Sequence, residues 1–338
     1  MNIAQLTAQG VPVTKKSNKA IYSHVAWLSD GLVKLGHKVH LYASPDSKTK
    51  AELHSVDIEM DETEYADKAQ YMEWSNISDC YLEAENGTFD IIHSHLNVRT
   101  AFFSNLVPIP TIISIHSPIE PWMKPILTKY KHLKYISFSK AQRLQMPELN
   151  WIANIYHGVD MKLFTFNETS EDFALFLGRI TTDKGTHDAI SACKLADIPL
   201  RIAGVSYETE PYWHKEIAPH INGESIQYLG EVGFDKKIEL LQKAKVLVFP
   251  THYHEAFGYV MIEAMACGTP IVAFNNGSVP EIVRHGVTGF IVNNVEEMAE
   301  AIKKIDTIDR KTVRIRAENY FSVKKMVNGY DSVYKRLV

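Results

Sequence analysis

The chain has 338 residues, 45% hydrophobic and 22% charged, with a formal net charge of −4. That length asks for more than one core and the composition is globular, so two domains are expected. With a slight acidic surplus nucleic acid is not the expected partner, and no run approaches the roughly 18 apolar residues of a membrane span.

Taken in chain order, "NIAQLTA" reads as a first strand, and the start lacks the basic and apolar regions of a signal peptide. A helix near 20–36 follows, with Ile21, Val25, Leu28, Leu32 and Leu35 on one face. The strand-like runs "KVHLYAS", "FDIIHSH", "PTIISIH" and "LKYISFS" come next. After residue 160 the rhythm restarts with "FALFLGR", "PLRIAGV", "SIQYLGE", "VLVFP" and "PIVAF". Helices are expected between them near 184–196, 210–220, 235–244 and 258–267, with a last one near 322–337. Short apolar runs separated by helices imply parallel sheets. The expected organisation is 1–160 and 161–320 as two Rossmann-like doubly wound α/β domains facing a central cleft, with a last helix at 321–338. The polar, irregular "HGVDMKLFTFNETSED" marks the hinge. Ligands of such folds bind beyond the carboxyl ends of strands, near helix N-termini.

Those strand ends carry chemistry. Arg179 and Lys184 follow "FALFLG", with Gly185 at the next helix start. They read either as a planar fork and a point charge for a diphosphate or as two solvated cations. "VLVFPTHYHEAFGYVMIEAMACG" is a second strand–loop–helix. Gly258 marks its helix start, and the amides of Phe257, Gly258 and Tyr259 there form an anion site. Glu255 reads as a cleft-mouth ligand or an exposed loop residue. Glu263, among apolar residues, needs donors: ribose hydroxyls, a backbone amide or a lysine would serve. His116 ends "PTIISIH", either as a functional histidine or as one hydrogen-bonded at a strand end. His93 and His95 lie on one face and read as structural or acceptor-adjacent, with no third metal ligand evident. Cys80, Cys193 and Cys267 are too scattered for a disulfide framework and lack zinc-ligand spacing, so they read as free thiols of a reducing cytoplasm. No G-x-G-x-x-G follows the first strand, which disfavours a dehydrogenase.

"GRITTDKG" with "PTHYHEAFGYVMIEAMACGTPIVAFNNGSVPEIVRHGVTGFIV" resembles the C-terminal domain of the family-four retaining glycosyltransferases of the GT-B fold. Glu255 and Glu263 match that family's Glu-x7-Glu motif. "YHGVD" resembles its Asn-Gly-Val-Asp turn, with His157 in place of Asn. "YLGEV" resembles the segment abutting the base, and "YFSVKKMVNGYDSVY" the helix that crosses back. The likeness covers nearly the whole chain, highly specifically between 178 and 292 and more loosely before 110.

The resemblance implies a hexosyltransferase of the bacterial polysaccharide or glycolipid type, with a nucleotide-diphosphate sugar as donor and a saccharide or lipid-linked acceptor. A UDP-sugar is favoured, glucose first, with GDP-mannose next. Arg179, Lys184 and the amides of Phe257, Gly258 and Tyr259 would hold the diphosphate, Glu263 the ribose, and Val232 and Leu241 the base. Glu255 would contact the donor sugar, and His116 the sugar and the reacting centre. A front-face path is implied, in which the leaving diphosphate takes the acceptor proton. No Asp-x-Asp occurs, so neither metal nor other cofactor is expected. One departure concerns the family's paired glycines before the first helix, whose positions Lys19 and Ala20 take. Gly10, Lys15, Lys16 and Lys19 therefore become candidates for an acceptor or phosphate loop. The basic stretch from Trp122 to Gln145, with no acidic residue, reads as a solvated face or as a peripheral membrane contact of a cytoplasmic enzyme. A GT-B nucleotide-sugar epimerase and a non-catalytic nucleotide-sugar binder are the competing readings.

Overall fold

A computed structural model describes residues 1–56 and 65–338. They form two compact units, Met1–Gly158 with Val323–Val338, and Val159–Ser322.

The first unit is built on strands β1 (Asn2–Leu6), β2 (Lys38–Tyr42), β3 (Glu52–His54), β4 (Ile91–Ser94), β5 (Thr111–Ser114), β6 (Lys134–Ser137) and β7 (Trp151–Asn154). They pair in the order β3-β2-β1-β4-β5-β6-β7, all parallel. The central strands β4 and β5 are buried at every residue, which is why they read as continuous apolar runs instead of alternating ones. Helix α1 (Ala20–Lys34) is buried from Tyr22 to Asp30, polar residues included, and not along one stripe only. Leu35, expected on its apolar face, is 47% exposed. The wider burial comes from helix α11 (Val323–Leu337), which packs on α1 in this unit. Gly31 makes the approach close: a Cβ there would lie 2.5 Å from Val327 Cγ2. Helix α2 (Tyr65–Glu85) has no counterpart in the sequence reading, because charged and amide residues interrupt its apolar spacing.

The second unit carries β8 (Ala174–Leu177), β9 (Leu200–Ala203), β10 (Ile226–Tyr228), β11 (Val246–Phe249), β12 (Ile271–Phe274) and β13 (Gly289–Val292), in the order β10-β9-β8-β11-β12-β13, again parallel. Helices α5 (Thr186–Ala196), α6 (Phe234–Lys243) and α7 (Tyr259–Cys267) fall where the periodicity predicts. Residues 210–220 do not form the expected α-helix. A π-helical turn, Trp213–Ile217, gives way to a 3-10 turn, Ala218–His220, because Pro219 cannot donate to a continuing α-helix. Among the described residues no helix is long and apolar enough to cross a membrane. The three cysteines are free and buried.

Candidate active site

In the second unit, five of the expected residues line one cavity of about 230 Å³: Arg179, Lys184, Glu255, Gly258 and Tyr259, with Phe176 and Phe249 behind them. The cavity lies at the carboxyl ends of β8 and β11. Two glycines bring the loops together. Gly185 has φ +70, and a Cβ there would collide with the Pro250 carbonyl oxygen, so the loop after β8 lies directly on the loop after β11. The Asp183 carbonyl then accepts from the backbone N–H groups of His252 (2.9 Å) and Tyr253 (3.2 Å). Gly258, at φ +77, turns the chain into α7, and a Cβ there would come within 2.5 Å of Met261 Cε.

Lys184 Nζ and Glu255 Oε1 form an ion pair whose side chains are each 15% exposed. The two residues expected to grip diphosphate and sugar thus neutralise one another, and Lys184 also faces the Tyr253 ring. Arg179 is the open cation, 53% exposed, with Asp183 4.0 Å away. Phe257 is buried by its ring, with its carbonyl accepting from Ser278 Oγ at 2.6 Å.

Glu263 has a protein partner. It is 6% exposed, and Lys237 of α6 donates to its Oε1 at 2.6 Å. Of the donors open to it from sequence, the lysine is the one present, and a ribose is not required to satisfy it. Lys237 was missed because it stands 26 positions away on another helix. Leu241 needs correction: it is fully buried, and its carbonyl accepts from Thr269 Oγ1. It is a core residue facing no open space, whereas Val232 is half-buried in the loop before α6.

Residues that hold the 250–258 loop also escaped the sequence reading. Asn276 donates to the carbonyls of Thr251 and Tyr253 at 3.2 and 3.3 Å, and His252 Nε2 lies 2.7 Å from Asp188 Oδ2 on α5. A larger hollow, about 640 Å³, is lined by Lys245, Pro270 and Asp309. It opens at the amino ends of β11 and β12, opposite the expected chemistry, and holds none of the expected residues.

In the first unit, His116 lies just beyond β5, its backbone N–H donating to Asn97 Oδ1 at 2.8 Å. Its Nε2 is 2.9 Å from His95 Nδ1, and His95 Nε2 is 2.7 Å from Gln5 Oε1. The Gln5 oxygen only accepts, so His95 carries its proton on Nε2 and offers a lone pair at Nδ1; His116 Nε2–H is the donor. His24 and His157 adjoin, their Nδ1 atoms 2.9 Å apart. Burial pushes the His24 imidazole down to about 3, and those of His93, His95, His116 and His157 well below the usual histidine range. His95 has two histidine neighbours, His24 and His116, that the local sequence pattern does not show. His93 turns away, with Nδ1 2.6 Å from Tyr334 OH and Nε2 2.8 Å from Ser114 Oγ.

The loop after β1 is divided. Lys15 and Lys16 line a hollow of about 480 Å³ with Lys48 and Lys50, and Lys15 pairs with Asp30 at 2.6 Å. Lys19 is the N-cap of α1, making no side-chain cap bond, and Ala20 is its first residue. Gly10 is exposed at φ +83. Neither Gly10 nor Lys19 lines that hollow.

The model of glycosyl transferases group 1 matches residues 163–320, and that of glycosyltransferase family 4 matches residues 23–171. An uncharacterized glycosyltransferase of Methanocaldococcus jannaschii is 29% identical over 277 residues, 75% of this chain and 77% of that one. The capsular polysaccharide biosynthesis glycosyltransferase CapM of Staphylococcus aureus is 32% identical over 176 residues, 47% of this chain but 44% of its own length. Among solved structures, AviGT4, a glycosyltransferase involved in avilamycin A biosynthesis, superposes with a TM-score of 0.74 at 23% identity, covering 99% of this chain and 97% of that one. Anabaena HepE, solved in complex with UDP and glucose, gives 0.76 at 18% identity over 100% of both chains. Two parallel α/β units of this architecture, each matched by a glycosyltransferase family model, make the chain a GT-B glycosyltransferase similar to family 4.

Proposed function

We propose that the enzyme is a retaining hexosyltransferase that takes its sugar from a nucleoside-diphosphate donor and needs no metal. A UDP-sugar is the favoured donor, UDP-glucose first, and a saccharide or lipid-linked saccharide is the acceptor. The observation that carries this reading is the cavity shared by Arg179, Lys184, Glu255, Gly258 and Tyr259. It sets two cations and a helix start together at strand carboxyl ends, the arrangement a diphosphate needs. HepE structures with UDP, and with UDP-glucose, support the choice of donor.

In this reading the diphosphate draws Lys184 from Glu255, and the released carboxylate takes hydroxyls of the donor sugar. Arg179, Lys184 and the start of α7 stabilise the charge on the departing phosphate, whose oxygen takes the acceptor proton. Glu263 has one donor from Lys237 and further lone pairs for ribose hydroxyls. His116 is assigned contact with the donor sugar and the reacting centre.

A thermal-shift screen across nucleoside-diphosphate sugars tests the donor, since a ligand that binds the folded state raises its melting temperature by mass action. UDP-glucose is expected to give the largest shift, and a flat response to every nucleotide sugar would refute the reading. Activity is expected to persist in excess chelator. Its loss, with rescue by magnesium or manganese, would overturn metal independence.

A further inference from the structure

The histidines of the first unit are packed more closely than one sugar-contacting residue requires. His24, His95 and His116 each present a ring nitrogen within 4.8 Å of the other two. Their ring centroids are 5.5 Å (His24–His95), 5.2 Å (His24–His116) and 5.1 Å (His95–His116) apart. Three imidazoles on one tetrahedral ion with metal–nitrogen bonds of about 2.0–2.1 Å have centroids roughly 5 Å apart.

We propose that His24, His95 and His116 form a site for a zinc-class divalent transition metal. Four features beyond the spacing support it. All the donors are neutral imidazole nitrogens with no carboxylate among them, a set that selects zinc, cobalt, nickel or copper over magnesium and calcium. His95 is already held as a ligand is held, its outer N–H on Gln5 Oε1 and its inner Nδ1 lone pair toward His116. His24 Nδ1 is held by His157 Nδ1 at 2.9 Å, so Nε2, whose contact with Tyr330 OH is a long 3.5 Å, is the nitrogen left for the ion. His116 is partly exposed, which gives an ion a route in and leaves a fourth position for water.

The proton count balances. His116 now donates from Nε2 to His95; metal binding moves that proton to Nδ1, and none is released. His95 Nδ1 and His116 Nε2, 2.9 Å apart, separate by a few tenths of an ångström to the about 3.3 Å that two tetrahedral ligands require. The metal takes the His116 lone pair, so it inhibits transfer; this consequence alone rests on the role proposed for His116.

The test is titration of the chelator-stripped full chain with cobalt(II). One equivalent is expected to bind, with the intense visible bands of four-coordinate cobalt, bleached by one equivalent of zinc. His24→Leu is expected to weaken cobalt binding more than about 100-fold and remove the bands, with folding checked by circular dichroism; His95→Gln serves if His24→Leu does not fold. His187→Ala, which breaks the separate His187–Asp188–His252 group of the second unit, is expected to leave the bands unchanged. Absence of four-coordinate bands at micromolar cobalt in the wild type overturns the site. So does their survival in a folded His24 or His95 variant. Full turnover in saturating zinc refutes the inhibition only. Lack of turnover in the chelator-stripped enzyme instead refutes the proposed metal-free transfer and leaves the metal site standing.

Discussion

Lys184 and Glu255 hold each other at 15% exposure, so a diphosphate must compete with a carboxylate for the lysine. The competition sets a direction for each substitution. Lys184→Ala removes a charge-assisted bond worth about 1.5–3 kcal/mol, so UDP-glucose binding should weaken roughly 10- to 100-fold by calorimetry. Glu255→Ala frees the lysine, so donor binding should hold while turnover falls further; wild-type kinetics in both would remove the assignment. Glu263 calls for a different design, because Glu263→Ala strands Lys237 in the interior and conflates folding with binding. The double change Lys237→Met/Glu263→Leu replaces the buried pair by apolar groups, which is often neutral or stabilising. Its melting temperature should stay near wild type while donor affinity is lost. If donor affinity survives, Glu263 does not hold the ribose. Arg179, Lys184, Glu255 and Gly258 were legible in the sequence because each stands at a strand end or a helix start, positions that short-range pattern reveals. Lys237 and His24 were not, since their partners lie 26 and 133 positions away and local periodicity carries no such information.

At the scale of elements, the cavity depends on two loops lying in contact, and Gly185 is the contact point. A side chain there meets the Pro250 carbonyl from a left-handed backbone, and neither the carbonyl nor the turn can give way cheaply. Gly185→Ala should therefore lower stability by about 1–3 kcal/mol and displace Lys184 from Glu255. Thermal unfolding and donor titration should move together. A variant with wild-type melting and wild-type affinity would show that the loops are positioned otherwise. The β-rich runs of both sheets were readable because buried parallel strands are continuous apolar segments. Helix α2 was not, nor was the burial of α1 on its polar side, which is set by α11 some 300 positions later in the chain. The break at residues 213–220 had a local sign in Pro219, which the apolar spacing outweighed.

Across the whole molecule, histidine burial is uneven. His24, His40, His93, His95 and His157 are all buried, and all belong to the first unit; among the described residues the second unit buries none. Desolvation lowers each of these five, His24 to about 3, and lowers the partly exposed His116 as well. A depressed folded-state value means that the folded unit refuses protons which the unfolded chain accepts once pH falls below the ordinary histidine value near 6.5. Stability is therefore complete above that value and drains as pH falls through it, by up to about 1.4 kcal/mol per pH unit per histidine. The loss continues toward the folded-state values and does not reverse within the range where carboxylates are still ionised. Calorimetry between pH 7.5 and 5.5, in chelator, should show the transition of the first unit moving down by many degrees and that of the second unit barely moving. The window matters, because carboxylates titrate mostly below pH 5 and contribute little within it. His24→Phe, which removes one of these groups, should flatten the slope of the first unit if the variant folds. Equal slopes for the two units would mean that the imidazoles of the cluster take up protons without unfolding, and that the neutral network is not what holds the carboxyl ends of β1, β4 and β5 together.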